Sequence, residues 1–256
     1  MQLSIRQQQI MASARETGQV TVDGLAHSFD VTPQTIRKDL NVLCEMKLLV
    51  RAHGGALLAS GIENVHYEQR QVLARDEKTA IGQLCASQIP DNSSLFINIG
   101  TTTEAVAQAL LHHRNLMVVT NNLNVANILL QNTSFEIIIA GGVLRHSDRG
   151  ITGEATVDFI KQFKLDYAVI GSSALDEEGA LLDFDYREAR VTQAILSNAR
   201  ERFLVVDKSK LERNAPVRVG HVSQLTDVFT DELVSEQFRA VCEQHKVAVH
   251  VVGADA

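Results

Sequence analysis

Asn98-Ile99-Gly100-Thr101-Thr102-Thr103-Glu104 joins an apolar run to a helical pattern, and its composition suits an anion. Glycine and hydroxyls at a helix start leave free N–H groups and the positive end of the helix dipole pointing outward, where a phosphate is stabilised. Gly100, Thr101, Thr102 and Thr103 are therefore candidate effector-binding residues. The stretch also admits a reading without a ligand, because Thr101 and Glu104 have the spacing of a capping box.

Comparable turns follow the other apolar runs. Thr120-Asn121-Asn122 follows Leu116–Val119, and Gly141-Gly142 with Arg145 follows Glu136–Ala140. Gly171-Ser172-Ser173 follows Asp166–Ile170, and Asp207-Lys208-Ser209-Lys210 follows Phe203–Val206. Glycine lets the backbone approach a ligand closely, while Arg145 and Lys210 can supply positive charge to a phosphoryl group. Asn121, Asn122, Gly141, Gly142, Arg145 and Lys210 thus join the candidate set. Asp185 and Glu188, just before another helical stretch, can accept hydrogen bonds from ligand hydroxyls, or can simply favour a helix N-terminus.

A second constellation lies near the N-terminus. Asp30-Val31-Thr32-Pro33 reads as a turn that starts a helix, with Thr32 as N-cap and Pro33 in the first turn. That helix, running to about Lys47, points Ile36, Leu40 and Leu43 inward and leaves Gln34, Thr35, Arg37, Lys38 and Asn41 outward. Gln pairs bidentately with adenine and Arg with guanine, and the N-terminal turns of such a helix enter the major groove. Leu48 through Gly55 reads as a strand ending in a glycine turn, which is a wing that brings Arg51, His53 and Gly54 to the DNA backbone or minor groove. A dimerisation module with a solvated basic face is the plainer alternative.

These residues need elements to hold them. Residues 4–16 suit a first helix with Ile5, Ile10 and Met11 as core contacts, and Val22, Leu25, Ala26 and Phe29 mark a second. After residue 80, short β-branched runs (Leu95–Ile99, Leu116–Val119, Glu136–Ala140, Asp166–Ile170, Phe203–Val206, Val247–Val252) alternate with helical stretches such as Glu104–Leu111, Leu123–Leu130 and Glu188–Ala199. That alternation predicts an α/β domain with a doubly wound, mostly parallel sheet, whose ligands sit at the carboxyl ends of the strands. The expected boundaries are 1–57 for the DNA-binding domain, 58–76 for a linker that becomes helical before Lys78, and 77–256 for the effector domain.

Composition narrows the class. The formal net charge is -7, but Lys and Arg number 6 against 5 Asp and Glu through Leu58 and 18 against 26 beyond it. The first segment is thus free to meet DNA although the whole chain is acidic. No apolar run approaches the roughly 20 residues that span a bilayer. MQLSIRQQQI lacks the apolar core of a secretory signal, so a cytoplasmic location is expected. Cys44, Cys85 and Cys242 are far apart and have no CxxC spacing, so neither a disulfide framework nor a metal site is expected, and no cofactor.

VTPQTIRKDLNVL followed by RAHGGA resembles the signature of the DeoR-type family of bacterial repressors, and the similarity runs nearly the whole chain. SLFINIGTTTEAVAQAL, VTNNLNVANIL, IIAGGVLR, LLDFDYREAR and VVDKSKLERNA carry it through the second module. The resemblance implies an N-terminal winged helix-turn-helix and a C-terminal domain similar to ribose-5-phosphate isomerase. It implies double-stranded operator DNA as partner, a homo-oligomer (dimer or tetramer), and a phosphorylated sugar or polyol, glycerol 3-phosphate among them, as inducer. Carboxylates in comparable places shuttle protons in the isomerases, which makes an isomerase-like enzyme the alternative. Many family members have Asp in place of Asn98 and Lys or Arg in place of Thr192. This departure shifts the expected phosphate charge onto Arg145 and Lys210 and leaves Thr192 facing solvent.

Overall fold

The computed structural model describes residues 3–17, 19–46, 48–52, 54–58, 67–211, 213–232 and 235–253. They fall into two units, Met1–Arg70 and Gln71–Ala256.

The first unit has helices α1 (Ile5–Thr17), α2 (Val22–Ser28) and α3 (Pro33–Glu45) and strands β1 (Gln19–Thr21), β2 (Leu49–Ala52) and β3 (Gly55–Leu58). The strands form an antiparallel sheet in the order β1-β3-β2. Ile10, Ala14, Ile36, Leu40 and Leu43 are fully buried in its core. Ile5, expected there, is instead 77% exposed. It precedes Ile10 by five residues, which turns it about 140° around the helix, off the stripe that Ile10, Met11 and Ala14 share. The expected linker start also shifts, because Leu58 completes β3. His53 and the expected helix end at Lys47 lie outside the described residues.

Two adjacent glycines shape the wing for different reasons. Gly54 has φ +74°, in the left-handed region that favours glycine. Gly55 is needed for space, since a Cβ there would lie 2.0 Å from the Val20 carbonyl oxygen of β1.

Helix α4 (Tyr67–Val72) carries the chain across the unit boundary, and α5 (Arg75–Ser87) follows. The second unit then alternates β4 (Ser94–Ile97), α6 (Thr101–Ala109), β5 (Met117–Thr120), α7 (Leu123–Leu129) and β6 (Glu136–Ile139). A small ribbon of β7 (Val143–Leu144) and β8 (Ile151–Thr152) precedes α8 (Glu154–Ile160) and β9 (Leu165–Ile170). Next come β10 (Ala174–Leu175), β11 (Ala180–Asp183), α9 (Tyr186–Ser197), β12 (Ala199–Val205) and β13 (Val217–His221). The described chain ends with β14 (Asp227–Thr230), α10 (Glu236–Gln244) and β15 (Ala248–Val251).

Seven strands form one parallel sheet in the order β15-β14-β12-β9-β4-β5-β6. From β4 the chain winds outward to β6, then returns to β9 on the other side and winds out to β15. The direction reverses between β4 and β9, which is where open α/β sheets take ligands. Alternation along the strands explains the two covered faces. Leu95, Ile97, Val118 and Phe203 pack with α5, α6 and α7, whereas Phe96, Val119, Ala168 and Leu204 pack with α8, α9 and α10. The strands β10, β11 and β13 form a separate antiparallel sheet.

Candidate functional site

On α3 the exposed side chains are those expected: Gln34, Arg37, Lys38 and Asn41 are exposed, and Thr35 is half-buried. Thr32 caps the helix, its hydroxyl accepting from the Thr35 N–H at 3.3 Å. Arg51 is exposed on β2. Asp39, on the opposite side of α3, accepts from Arg6 Nε at 2.6 Å and Gln7 Nε2 at 3.2 Å and so ties α3 to α1. Nothing in the local pattern around Asp39 signals that long-range pair.

In the second unit the carboxyl ends of the strands meet. A Cβ built on Gly171, just after β9, would lie 3.9 Å from the Ile99 carbonyl and the Thr103 methyl, which follow β4, and from the carbonyl of Val205, the last residue of β12. Around this junction runs a ring of polar contacts. Asn98 Nδ2 donates to Thr192 Oγ1 at 2.7 Å, and Thr192 Oγ1 donates to the Glu188 carbonyl at 3.1 Å. Glu188 accepts from Arg145, Arg145 holds Asp148, and the Asp148 carbonyl accepts from Asn124 Nδ2 at 3.3 Å. Asn124 and Asn122 both donate to Glu104 Oε1, at 2.9 and 3.2 Å, which returns the ring to α6.

Thr192 is therefore buried and hydrogen-bonded, contrary to the expectation that it faces solvent. Arg145 also departs from its expected part. Its guanidinium donates to Asp148, to Asp185 at 3.0 Å and to Glu188 at 2.5 Å, so carboxylates already neutralise the charge expected for a phosphoryl group. Burial works against that charge, yet Glu188 and Asp148 hold Arg145 firmly in the charged form. Burial and the neighbouring Asp183 push Glu188 up to about 8 despite Arg145. Burial likewise raises Asp183, against a hydrogen bond from the Phe184 N–H. Asp185, although partly buried, is held low by hydrogen bonds from Arg187 and Arg145 and caps α9. Burial at this acidic end of the ring thus favours the protonated form of Glu188.

Asn121, Asn122 and Gly142 have structural roles. Asn122 caps α7, and Asn121 is buried with Nδ2 donating to the Ile151 carbonyl at 3.0 Å. Gly142 answers a packing demand, since a Cβ there would sit 2.1 Å from Thr156 Oγ1, while Gly141 is exposed. The loop after β4 behaves otherwise. Gly100 is the N-cap of α6 and no side chain caps that helix among the described residues. Glu104 binds Asn122 and Asn124, so the capping box suggested by Thr101 and Glu104 does not form. Thr103 donates to the Asn98 and Gly100 carbonyls, and Thr102 is buried.

The cationic end was only partly legible. Lys78, Lys210 and Arg213 are all buried around Asp207, which follows β12. Burial pushes the Asp207 carboxyl up, but Lys210, the Ser209 hydroxyl, Lys78 and Arg213 together hold it below the usual range. Lys210 Nζ lies 4.0 Å from Asp207 Oδ2. Lys210 was expected here; Lys78 and Arg213 were not, because each sits in a segment that reads locally as an ordinary polar helix or turn. A groove of about 850 Å³ runs along α5 and α6, and Lys78, Thr101, Glu104, Arg75 and His112 are on its wall. Thr101 is the one expected effector residue that lines it. Among the described residues no three His, Cys, Asp or Glu side chains are placed to hold a metal ion, and no helix is long and apolar enough to cross a membrane.

This pairing of a helix-turn-helix unit with a sheet domain matches known families. The DeoR-like helix-turn-helix domain matches residues 6–61, and the DeoR C-terminal sensor domain matches residues 73–232. The chain belongs to the DeoR family and is a DNA-binding transcriptional repressor rather than an enzyme. It is 47% identical, over 98% of its length and 100% of the relative's, to the glycerol-3-phosphate regulon repressor of Escherichia coli (strain K12). It is 48% identical, over 91% of both chains, to the repressor of the same name from Haemophilus influenzae, and 40% identical, over 98% of this chain and 96% of the other, to the HTH-type transcriptional repressor CsqR of Escherichia coli. Among solved structures, ribose 5-phosphate isomerase A of Methanocaldococcus jannaschii aligns with a TM-score of 0.40 at 14% identity, covering 54% of this chain and 55% of that one.

Proposed function

We propose that the chain represses a glycerol-3-phosphate regulon from the cytoplasm and leaves its operator when a phosphorylated polyol or sugar, glycerol 3-phosphate first among them, binds the second unit. The observation that carries this reading is the uncapped N-terminus of α6 sharing a groove with the buried Lys78. The free N–H groups and the dipole of α6 stabilise a phosphoryl group beside Thr101, and Lys78 adds a full charge. Lys210 and Arg213, like Lys78, are buried and act on Asp207, so they add further positive charge to this region. The ligand hydroxyls turn toward the acidic end of the ring, where Asp185 accepts hydrogen bonds and Glu188, its carboxyl pushed up by burial, can donate as well as accept.

On the DNA side, Gln34, Thr35, Arg37, Lys38 and Asn41 read the major groove, Thr32 positions the helix, and Arg51, His53 and Gly54 meet the backbone from the wing. A homo-oligomer, dimer or tetramer, presents these faces to paired half-sites. Binding at one site alters the other only through a difference in affinity between two states, typically about 1–3 kcal/mol. The test is operator binding by fluorescence anisotropy while glycerol 3-phosphate is titrated in. Release at a concentration well below that of glycerol or inorganic phosphate supports the reading, and indifference to every three- to six-carbon phosphate rejects it.

A further inference from the structure

Lys78 stands in two places at once. Its side chain is buried on α5 at the groove wall, and its Nζ donates to the Leu73 carbonyl at 2.6 Å. Leu73 and Ala74 form the turn between α4 and α5. Ala74, the residue before α5, is left-handed at φ 51° and ψ 44°, and no side chain caps the helix there. A residue with a β-carbon resists that conformation, so something must hold it. The lysine closes the turn from the far side, and the Lys78 N–H reinforces it by donating to the Ala74 carbonyl at 3.0 Å. The turn begins one residue beyond α4, the helix that carries the chain over the boundary at Arg70.

We infer that the Lys78–Leu73 contact is a latch: it holds the strained Ala74 turn in the operator-binding form, and an anion seated in the groove draws the ammonium away and frees the turn. The trigger rests on the phosphate reading above, whereas the latch itself is a property of the ligand-free chain. The ammonium has three donors, but a phosphoryl dianion is a much stronger acceptor than the Leu73 carbonyl and pulls Nζ toward itself. Once Nζ leaves Leu73, the left-handed alanine loses the side-chain contact that closes its turn. The turn then relaxes toward ordinary backbone, and α4 takes a new direction.

Two substitutions in the full-length chain move the equilibrium in opposite senses. Lys78→Met keeps the apolar stem and removes the donor. Without any ligand it is expected to bind a duplex, selected from random DNA by the parent chain, at least fivefold more weakly. Ala74→Gly removes the strain and steadies the latched turn. It should bind that duplex as the parent does, while the glycerol 3-phosphate concentration for half-release rises about fivefold. A residue that mattered only for folding would lower the melting temperature without this opposition. Parent-like operator affinity in Lys78→Met overturns the latch, whatever the ligand proves to be. Half-release at an unchanged concentration in Ala74→Gly overturns it as well. Failure of glycerol 3-phosphate to release the parent chain counts against the inducer reading alone, and the Lys78→Met measurement then decides the latch by itself.

Discussion

Asn98 and Thr192, 94 residues apart in the chain, meet in a buried hydrogen bond of 2.7 Å that fastens the end of β4 to the middle of α9. Each partner is also bonded to backbone: Asn98 Oδ1 accepts from the Ile99 N–H, and the Thr192 hydroxyl donates to Glu188. The pair stands where the family resemblance expects Asp and Lys or Arg, so a neutral contact occupies the place of an ion pair. Thr192→Val should lower stability by about 1–3 kcal/mol, because the buried Asn98 amide loses its acceptor. Asn98→Asp and Thr192→Lys should each destabilise, and the double variant should recover much of the loss. A double-mutant cycle read by thermal unfolding measures this, and strict additivity would mean that the two side chains are not coupled.

Arg37 is exposed on the outer face of α3. Arg37→Ala is expected to weaken operator binding by about 1–3 kcal/mol and to relax preference at one base pair. Lys38→Ala, if Lys38 meets a phosphate, should weaken all sequences alike and reduce the salt slope by about 1. Anisotropy titrations over a salt series distinguish them. Equal losses on specific and random DNA for Arg37→Ala would remove that residue from base reading.

Lys210→Gln removes a buried charge while leaving Lys78 and Arg213 beside Asp207. The glycerol 3-phosphate concentration for half-release is expected to rise at least tenfold, giving a chain that stays on its operator. Calorimetry of glycerol 3-phosphate binding should show the same weakening. An unaltered dissociation constant would place the phosphoryl group elsewhere.

Burial and the nearby Asp183 push the Glu188 carboxyl up to about 8 in the folded chain, from 4.5 for a free side chain. The folded state therefore holds a proton that the unfolded chain has released across that interval. The associated stabilisation is complete below about 4.5 and disappears as pH rises through about 8. Glu188→Gln, which keeps a neutral side chain of the same shape, should flatten the fall in melting temperature over this range. Parallel pH profiles for the two chains would show that the proton sits elsewhere.

The parallel sheet was readable because β4, β5, β6, β9, β12 and β15 are each a short β-branched run between helical stretches. Strand β14 was not, because its apolar core is just Val228 and Phe229 between aspartates. The antiparallel strands β10, β11 and β13 escaped for a related reason: they owe their pairing to one another rather than to a periodic pattern. In the first unit the outward residues of α3 followed from spacing alone. Within the candidate site, the α6 loop and Lys210 were visible as polar residues after strands. Local sequence could not show that Arg145 would be claimed by carboxylates 40 and 43 residues away, or that Lys78 would reach the same neighbourhood from α5. Such encounters are decided by tertiary assembly.

The ring of polar contacts also has a consequence in time. Its links join segments separated by 94, 43 and 20 residues, so it cannot close before α9 has been made. Contacts so distant in sequence carry a loop-closure cost that slows folding. A chain released before α9 is made would own its DNA-reading helices but lack a completed sensor. The ring that organises the second unit thus becomes possible only well after the DNA-reading unit has been synthesised.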